Sequence, residues 1–290
     1  MFGASCFRRD LGRSSVQLYQ RRGMQTGIRR SGMLHGMNHE HADGSVRQGM
    51  VHVFRYAARD FFSRRMYRAL ERYCRGDVLD VGGWDFFLSA MRRNIPCRTW
   101  TTLEPASGLL PSIQDPRFRC VTGNGCVMDF ADASFDTVLC IQVLEHVVEP
   151  LKMVSEIGRV LRKGGKAVFL VPQTSTMHMA PKHYYNFTRF WIEEAIRRAG
   201  LELVELQPIG GRFSSTASHF VHFFFQSIRY PGMSVSVCRR SVCFYLLYPF
   251  MALTAVVLIP VCLLFSLGDL QEEANNHLVI ATKGDSTARE

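Results

Sequence analysis

The sequence contains no CxxC pair and no cysteine–histidine spacing suited to zinc, although it carries nine cysteines in 290 residues. A zinc module and a disulfide framework are therefore excluded as organising principles, and the spacing predicts no metal site. Cys74, Cys126 and Cys140 sit in apolar surroundings and read as buried free thiols. An odd count without a framework points to a reducing compartment. The amino terminus lacks the long apolar core of a secretory signal, and it is almost without acid. Residues 1–30 hold seven arginines (Arg8, Arg9, Arg13, Arg21, Arg22, Arg29, Arg30) against Asp10 alone. That composition suits a mitochondrial presequence slightly better than a plain disordered basic arm. It also accounts for most of the net charge of +10. Beyond it there is no basic–aromatic patch, which argues against a nucleic-acid partner. Residues 31–50 lack periodicity and read as linker.

What is present is an alternation of strand and helix patterns. Phe62, Met66, Leu70 and Tyr73 recur at helical intervals within 56–74, giving an amphipathic helix. Val78-Leu79-Asp80-Val81-Gly82-Gly83 then reads as a buried strand ending in a glycine turn, with a crossover helix over 84–93. Glu104 closes a second strand (98–104), where a carboxylate can accept bonds from two ribose hydroxyls. Strands follow at 119–122, 135–141, 166–171 and 201–206, with helices at 147–161 and 189–199. Lys163-Gly164-Gly165 is read as the stop of the first of these helices, and Thr188 as the cap of the second. The class is α/β with a mostly parallel sheet. Gly82, Glu104, Gly123, Asn124 and Gln142 all fall at strand ends on the ligand-binding rim of such a sheet.

Three stretches carry a resemblance. They are Phe130-Ala131-Asp132-Ala133-Ser134-Phe135-Asp136-Thr137-Val138, then Val143-Leu144-Glu145-His146-Val147, then Glu156 to Gly165. In order and spacing the chain resembles the class I S-adenosylmethionine-dependent methyltransferases, in particular their type 11 branch, from about Arg75 to Gly211. The resemblance implies a Rossmann-like sheet with its last strand antiparallel, and S-adenosyl-L-methionine as cofactor. It implies that Asp80, Gly82 and Gly83 form the first cofactor motif and that Glu104 is the ribose-binding acid. Asn124 and Gly125 fall at the adenine position, where Asn replaces the customary Asp, and Gln142 lies near the methionine end. Trp84 and Phe86 stand where the family pattern has glycine, so a cofactor-binding or assembly protein without catalysis is the alternative. A nicotinamide-dependent oxidoreductase fits a nucleoside pocket but not the downstream motifs. His146, His183 and Tyr184 are the candidate catalytic groups, with His178 and Tyr185 beside them. Each can equally serve loop packing or structure.

The last feature is another absence: residues 241–268 contain no charge. Pro249 and Pro260 divide this run into pieces too short to cross a bilayer alone. Residues 277–282 match the last strand of the sheet, so the chain must return to the side it left. A broken or re-entrant apolar hairpin lying in one leaflet over the site is expected, against a soluble lid packed on the domain or a partner subunit. The expected layout is a basic segment at 1–50, the methyltransferase domain at 51–212, the apolar insert at 213–275 and the last strand at 276–284. The expected acceptor is a small molecule, hydrophobic or membrane-held.

Overall fold

The computed structural model describes residues 63–105, 113–179, 181–227 and 240–284. The arginine-rich start, the linker, the first part of the predicted opening helix and most of the proline-broken stretch after Glu104 lie outside the described residues.

Helix α1 (63–73) buries Met66 and Leu70, as their spacing predicts. The chain then alternates β1 (Asp77–Val81), α2 (Phe86–Arg92), β2 (Thr99–Glu104), β3 (Phe118–Thr122), β4 (Phe135–Ile141), α3 (Pro150–Val160), β5 (Leu161–Pro172), α4 (Arg189–Arg198) and β6 (Glu202–Ile209). Two longer helices follow, α5 (Arg212–Ser227) and α6 (Val242–Phe265), before β7 (Asn276–Thr282). The strands form one sheet in the order β3-β2-β1-β4-β5-β7-β6. β7 runs antiparallel between β5 and β6; the other pairings are parallel. This is the expected Rossmann-like methyltransferase sheet with an apolar helical insert before its last strand.

Alternation along the central strands sends side chains to two cores. Val138, Phe169 and Val279 pack with Val154, Ile157 and Ile196 on the α3–α4 face. Leu139, Val168 and Leu278 pack with Leu70, Phe87 and Trp100 on the α1–α2 face. A sheet covered on both faces explains why these strands read as apolar runs rather than as alternating patterns. Strand order reverses between β1 and β4, so their carboxyl ends flank the crevice where such sheets bind ligands.

The two strongest sequence motifs interlock. Arg159 of α3 donates to Met128 O (2.9 Å) and Phe130 O (2.7 Å), and pairs with Asp132 and Glu156. Glu156 in turn accepts from Met128 N at 2.7 Å. One guanidinium thus fixes the loop that delivers the chain into β4.

Three expectations need correcting. Helix α3 ends at Val160 rather than at the glycine pair, and Leu161 already pairs with Phe135 in the sheet. The last helical carbonyls are capped from a distance, since Lys283 Nζ donates to Arg159 O and Leu161 O at 3.1 and 2.9 Å. β6 extends to Ile209, because β7 pairs with it over that length. Finally, Pro249 and Pro260 do not divide the apolar run: α6 is one helix of 24 residues containing both. Each proline removes one hydrogen bond, which the uninterrupted apolar helix around it tolerates.

At about 1.5 Å per residue, α6 is about 36 Å long, more than the roughly 30 Å of a bilayer core. Phe213 meets Phe265 at 5.3 Å and Phe223 meets Tyr248 at 5.8 Å, so α5 and α6 are antiparallel. The outward and returning limbs are therefore α5 and α6 together, not two halves of 241–268. Between them lies a groove of about 540 Å³ lined by His219, Phe220, Phe223, Leu247, Phe250, Met251 and Thr254.

Candidate functional site

The site begins where β1 ends. Gly82 has φ +69°, and a Cβ there would stand 2.9 Å from Val143. Gly83 is tighter still, since a Cβ would lie 1.8 Å from Oδ2 of Asp80. Only bare backbone fits over that carboxyl. The next residue, Trp84, also adopts positive φ (+46°) and donates its N–H to Glu104 Oε1 at 2.7 Å. The turn after β1 and the acid ending β2 are thereby joined into one rim.

The two large residues at the glycine positions go elsewhere. The Phe86 ring stacks on Tyr67 at 6.1 Å and lies beside Trp100. The Trp84 side chain is 53% exposed, so the indole does not fill the interior under the turn. Glu104 is buried, and burial raises its pKa against the lowering effect of the Trp84 N–H.

Asp80 is fully enclosed, and neither carboxyl oxygen has a hydrogen-bond partner. Burial, opposed by the nearby Trp100 indole N–H, which does not reach hydrogen-bonding geometry, and reinforced by the Glu104 charge, pushes its pKa up to about 8. The free protein therefore holds this carboxyl protonated at neutral pH. Such a group lowers stability as pH rises: below about pH 4 both states are protonated, and between 4 and 8 only the unfolded chain ionises. Asp80→Asn removes that slope. Relative to the parent, the ligand-free variant is expected to gain about 2 kcal/mol or more between pH 5 and pH 8, because each tenfold change in proton affinity is worth about 1.4 kcal/mol. Urea unfolding at both pH values measures it. An unchanged difference would mean that Asp80 is already ionised in the fold.

At the end of β3, Gly123 N donates to Glu104 O at 2.8 Å. Asn124 is exposed, and its Oδ1 accepts the Cys126 N–H at 2.9 Å, using one lone pair in the local turn. Gly125 is buried against Met153. At the end of β4, Gln142 has φ +56°, and its Nε2 donates to Asn276 Oδ1 at 2.7 Å. The sequence offered little sign of that partner. Asn276 opens β7, opposite Pro172 of β5, and the register alone brings it to this rim.

The 3-10 turn Leu144–His146 lies beyond Gln142. Glu145 is completely buried, neither of its oxygens is bonded, and burial raises its pKa to about 7. Its carbonyl accepts from Tyr184 N at 2.7 Å, and His146 Nδ1 meets Lys182 O at 2.7 Å. The loop after β5 is thus folded down onto the turn after β4. This brings His178 and His183 against His146, with one nitrogen of each within 4.8 Å of the others. Burial lowers the pKa of His146 and of His183, which favours neutral imidazoles. Tyr184 stands outward, its ring 6.5 Å from that of Tyr185, while Tyr185 anchors the loop through Val148 O at 2.9 Å. Sequence spacing gave no sign of this histidine cluster, because the residues belong to separate loops.

Comparison with known proteins bears on the family and the fold. Residues 79–169 match the family model described as a methyltransferase domain. A Mycolicibacterium smegmatis protein named a probable S-adenosylmethionine-dependent methyltransferase is 33% identical over 158 residues, covering 51% of this chain and 59% of that protein. A phosphatidylethanolamine N-methyltransferase of Cereibacter sphaeroides is 33% identical over 99 residues, covering 30% of this chain and 49% of the relative. The chain thus spans about half to three fifths of the length of these relatives. A similar solved structure is the complex of the Haloferax volcanii Trm112 methyltransferase activator with a methyltransferase. It has a TM-score of 0.51 at 14% identity and covers 78% of this chain and 91% of that one. At that identity the likeness concerns the fold alone.

Proposed function

We propose that this chain, which belongs to the class I S-adenosylmethionine-dependent methyltransferases through the domain at 79–169, methylates a small hydrophobic or membrane-held acceptor. The observation that carries the reading is the joined rim, in which Glu104 accepts the N–H of the glycine turn above an unpartnered Asp80. The residues present fit S-adenosyl-L-methionine. Gly83 lays bare backbone over the Asp80 carboxyl at the end of β1. Glu104 keeps a second carboxylate oxygen for ribose hydroxyls, and the enclosed Asp80 carboxyl supports the glycine turn from beneath.

Bound there, the cofactor supplies a methyl group already activated on a sulfonium. The protein's task is then alignment and exclusion of water. Glu104, Asn124 and Gly125 would hold the nucleoside end; Gly82, Gly83 and Gln142 would line the methionine end. The folded-down loop carrying His183 and Tyr184 covers the acceptor side. With no ion bound, a neutral imidazole of His146 or His183 can take a proton from a hydroxyl acceptor, whereas an already ionised acceptor needs none.

The hydrophobic acceptor is supported by α6. Most large side chains of this helix are exposed, Phe244, Tyr248, Leu258 and Ile259 are half-buried, and Ala255 and Cys262 are its buried residues. A helix apolar all round belongs either in a core or in a membrane. We assign the α5–α6 hairpin to the bilayer, with the groove between the helices as the path for an apolar acceptor. The lipid substrate in the name of the Cereibacter relative points the same way. The arginine-rich start would place the membrane in the mitochondrion.

Calorimetry with the detergent-solubilised full chain tests the cofactor assignment. Micromolar binding of S-adenosylmethionine and S-adenosylhomocysteine is expected, with none of NAD. Failure to bind either sulfur ligand would leave an assembly role in place of catalysis.

A further inference from the structure

His146, His178 and His183 are brought together from two loops that share no sequence motif. Their rings meet edge to face, with centroids 4.9, 5.7 and 4.6 Å apart and interplanar angles of 90°, 88° and 84°. One nitrogen from each lies within 4.8 Å of the others; the Nδ1 atoms of His178 and His183 are hydrogen-bonded at 3.1 Å, His178 Nδ1 also lies 3.0 Å from Thr176 O, and His183 Nδ1 accepts the His178 N–H at 3.4 Å. Two ligands of one tetrahedral ion at about 2.0–2.1 Å are roughly 3.3 Å apart. Small side-chain rotations would bring all three rings to that spacing.

Three further observations exceed mere proximity. His146 Nδ1 lies 2.7 Å from Lys182 O, so it donates there and leaves Nε2 with its lone pair free. A backbone carbonyl behind the ring fixes metal-binding histidines in this way. His183 Nδ1 is taken up by His178, and its Nε2, enclosed without a hydrogen-bond partner, is the nitrogen left for an ion. Glu145, fully buried with both oxygens unpartnered, places Oε1 3.8 Å from His146 Nε2. A carboxylate so placed can balance the charge of a bound cation.

We infer that His146, His178 and His183 hold one divalent transition-metal ion of the zinc class. Glu145 is the adjacent carboxylate, and a fourth position remains open. Three imidazoles select zinc, copper, iron or nickel over magnesium and calcium, which prefer oxygen. Three protein ligands plus an open position is the arrangement of a metal that receives an exchangeable fourth ligand. If the methyltransferase reading holds, that ligand is a hydroxyl or amine of the acceptor, since the loop carrying His178 and His183 covers the acceptor side.

The test uses the full chain in detergent, stripped with a chelator and dialysed against zinc, with metal measured by emission spectroscopy. About one zinc per chain is expected. His183→Ala and the pair His178→Ala with His146→Ala are expected to weaken binding at least tenfold, and Glu145→Gln about tenfold. The nine cysteines and His35, His39 and His41 could also bind zinc, so the variants carry the decision. A parent chain that retains no more zinc than the variants overturns the inference. Cobalt(II) gives an independent reading on the parent alone: a tetrahedral visible spectrum without thiolate charge transfer is expected. Strong thiolate bands would place the ion on cysteines and overturn the assignment. S-adenosylhomocysteine calorimetry on the same samples separates the two claims. Homocysteine-nucleoside binding without zinc refutes the metal and spares the methyltransferase, and zinc without nucleoside binding does the reverse.

Discussion

Lysine at Leu246, Leu253 and Val256 is expected to release the full chain from the membrane pellet into the detergent-free supernatant. These side chains are 69%, 65% and 59% exposed on α6, so replacing them removes little packing from the folded protein. In a bilayer core each charge costs about 2.5–3.5 kcal/mol. Three together cost roughly 8 kcal/mol, which is about five to six powers of ten in partitioning at about 1.4 kcal/mol per decade. Were the same surface covered by a partner subunit, the variant would change oligomeric state, not sedimentation with lipid. Ultracentrifugation of membranes, followed by sizing of whatever is released, distinguishes the two. Unaltered pelleting in vesicles, with the fold intact, would defeat the assignment of the hairpin to lipid. Cys243, exposed at the far end of α6, reports how deep the hairpin goes. Labelling by an impermeant maleimide from the opposite face of sealed vesicles means that it spans the bilayer.

The hairpin also shows where the sequence was hard to read. Charge absence and length located α6, but its two prolines argued for a break, because the rule that disfavours them is calibrated on helices in water. In α5, Ser214, Ser215, His219 and His222 interrupt the apolar period. The helix forms because Phe213 and Phe223 find partners on α6, and no local pattern encodes that. The sheet was different. Its inner strands, β1, β4 and β7 among them, are buried on both faces, so apolar runs marked them directly, and the motifs around Arg159 and Glu104 could be read by spacing. The site was legible to the extent that one strand end holds one residue, as for Gly83 and Glu104. It was not legible where two loops had to meet: the histidine cluster and the Gln142–Asn276 bond depend on chain segments that only the tertiary structure brings together.

The second large effect concerns the turn itself. Gly83→Ala is expected to lower affinity for S-adenosylhomocysteine at least about a hundredfold, which corresponds to about 2.7 kcal/mol. The new methyl would sit 1.8 Å from Asp80 Oδ2, and the buried carboxyl has no free space to retreat into without displacing its neighbours. The backbone of the turn must shift instead, breaking the Trp84 N–H bond to Glu104 on which the rim is built. Trp84→Gly makes the opposite change at the adjacent position. It relieves a non-glycine residue held at φ +46° and removes an exposed indole while leaving the N–H donor in place. Affinity is therefore expected to stay within about threefold of the parent, with stability equal or higher, since a strained residue of this kind costs about 1–3 kcal/mol. Calorimetry on the two variants at one pH weighs the backbone against the side chain. A tenfold or greater loss in Trp84→Gly would mean that the indole closes over the ligand as part of the site. Undiminished binding in Gly83→Ala would mean that the ligand does not lie against this turn, and the cofactor assignment would fall with it.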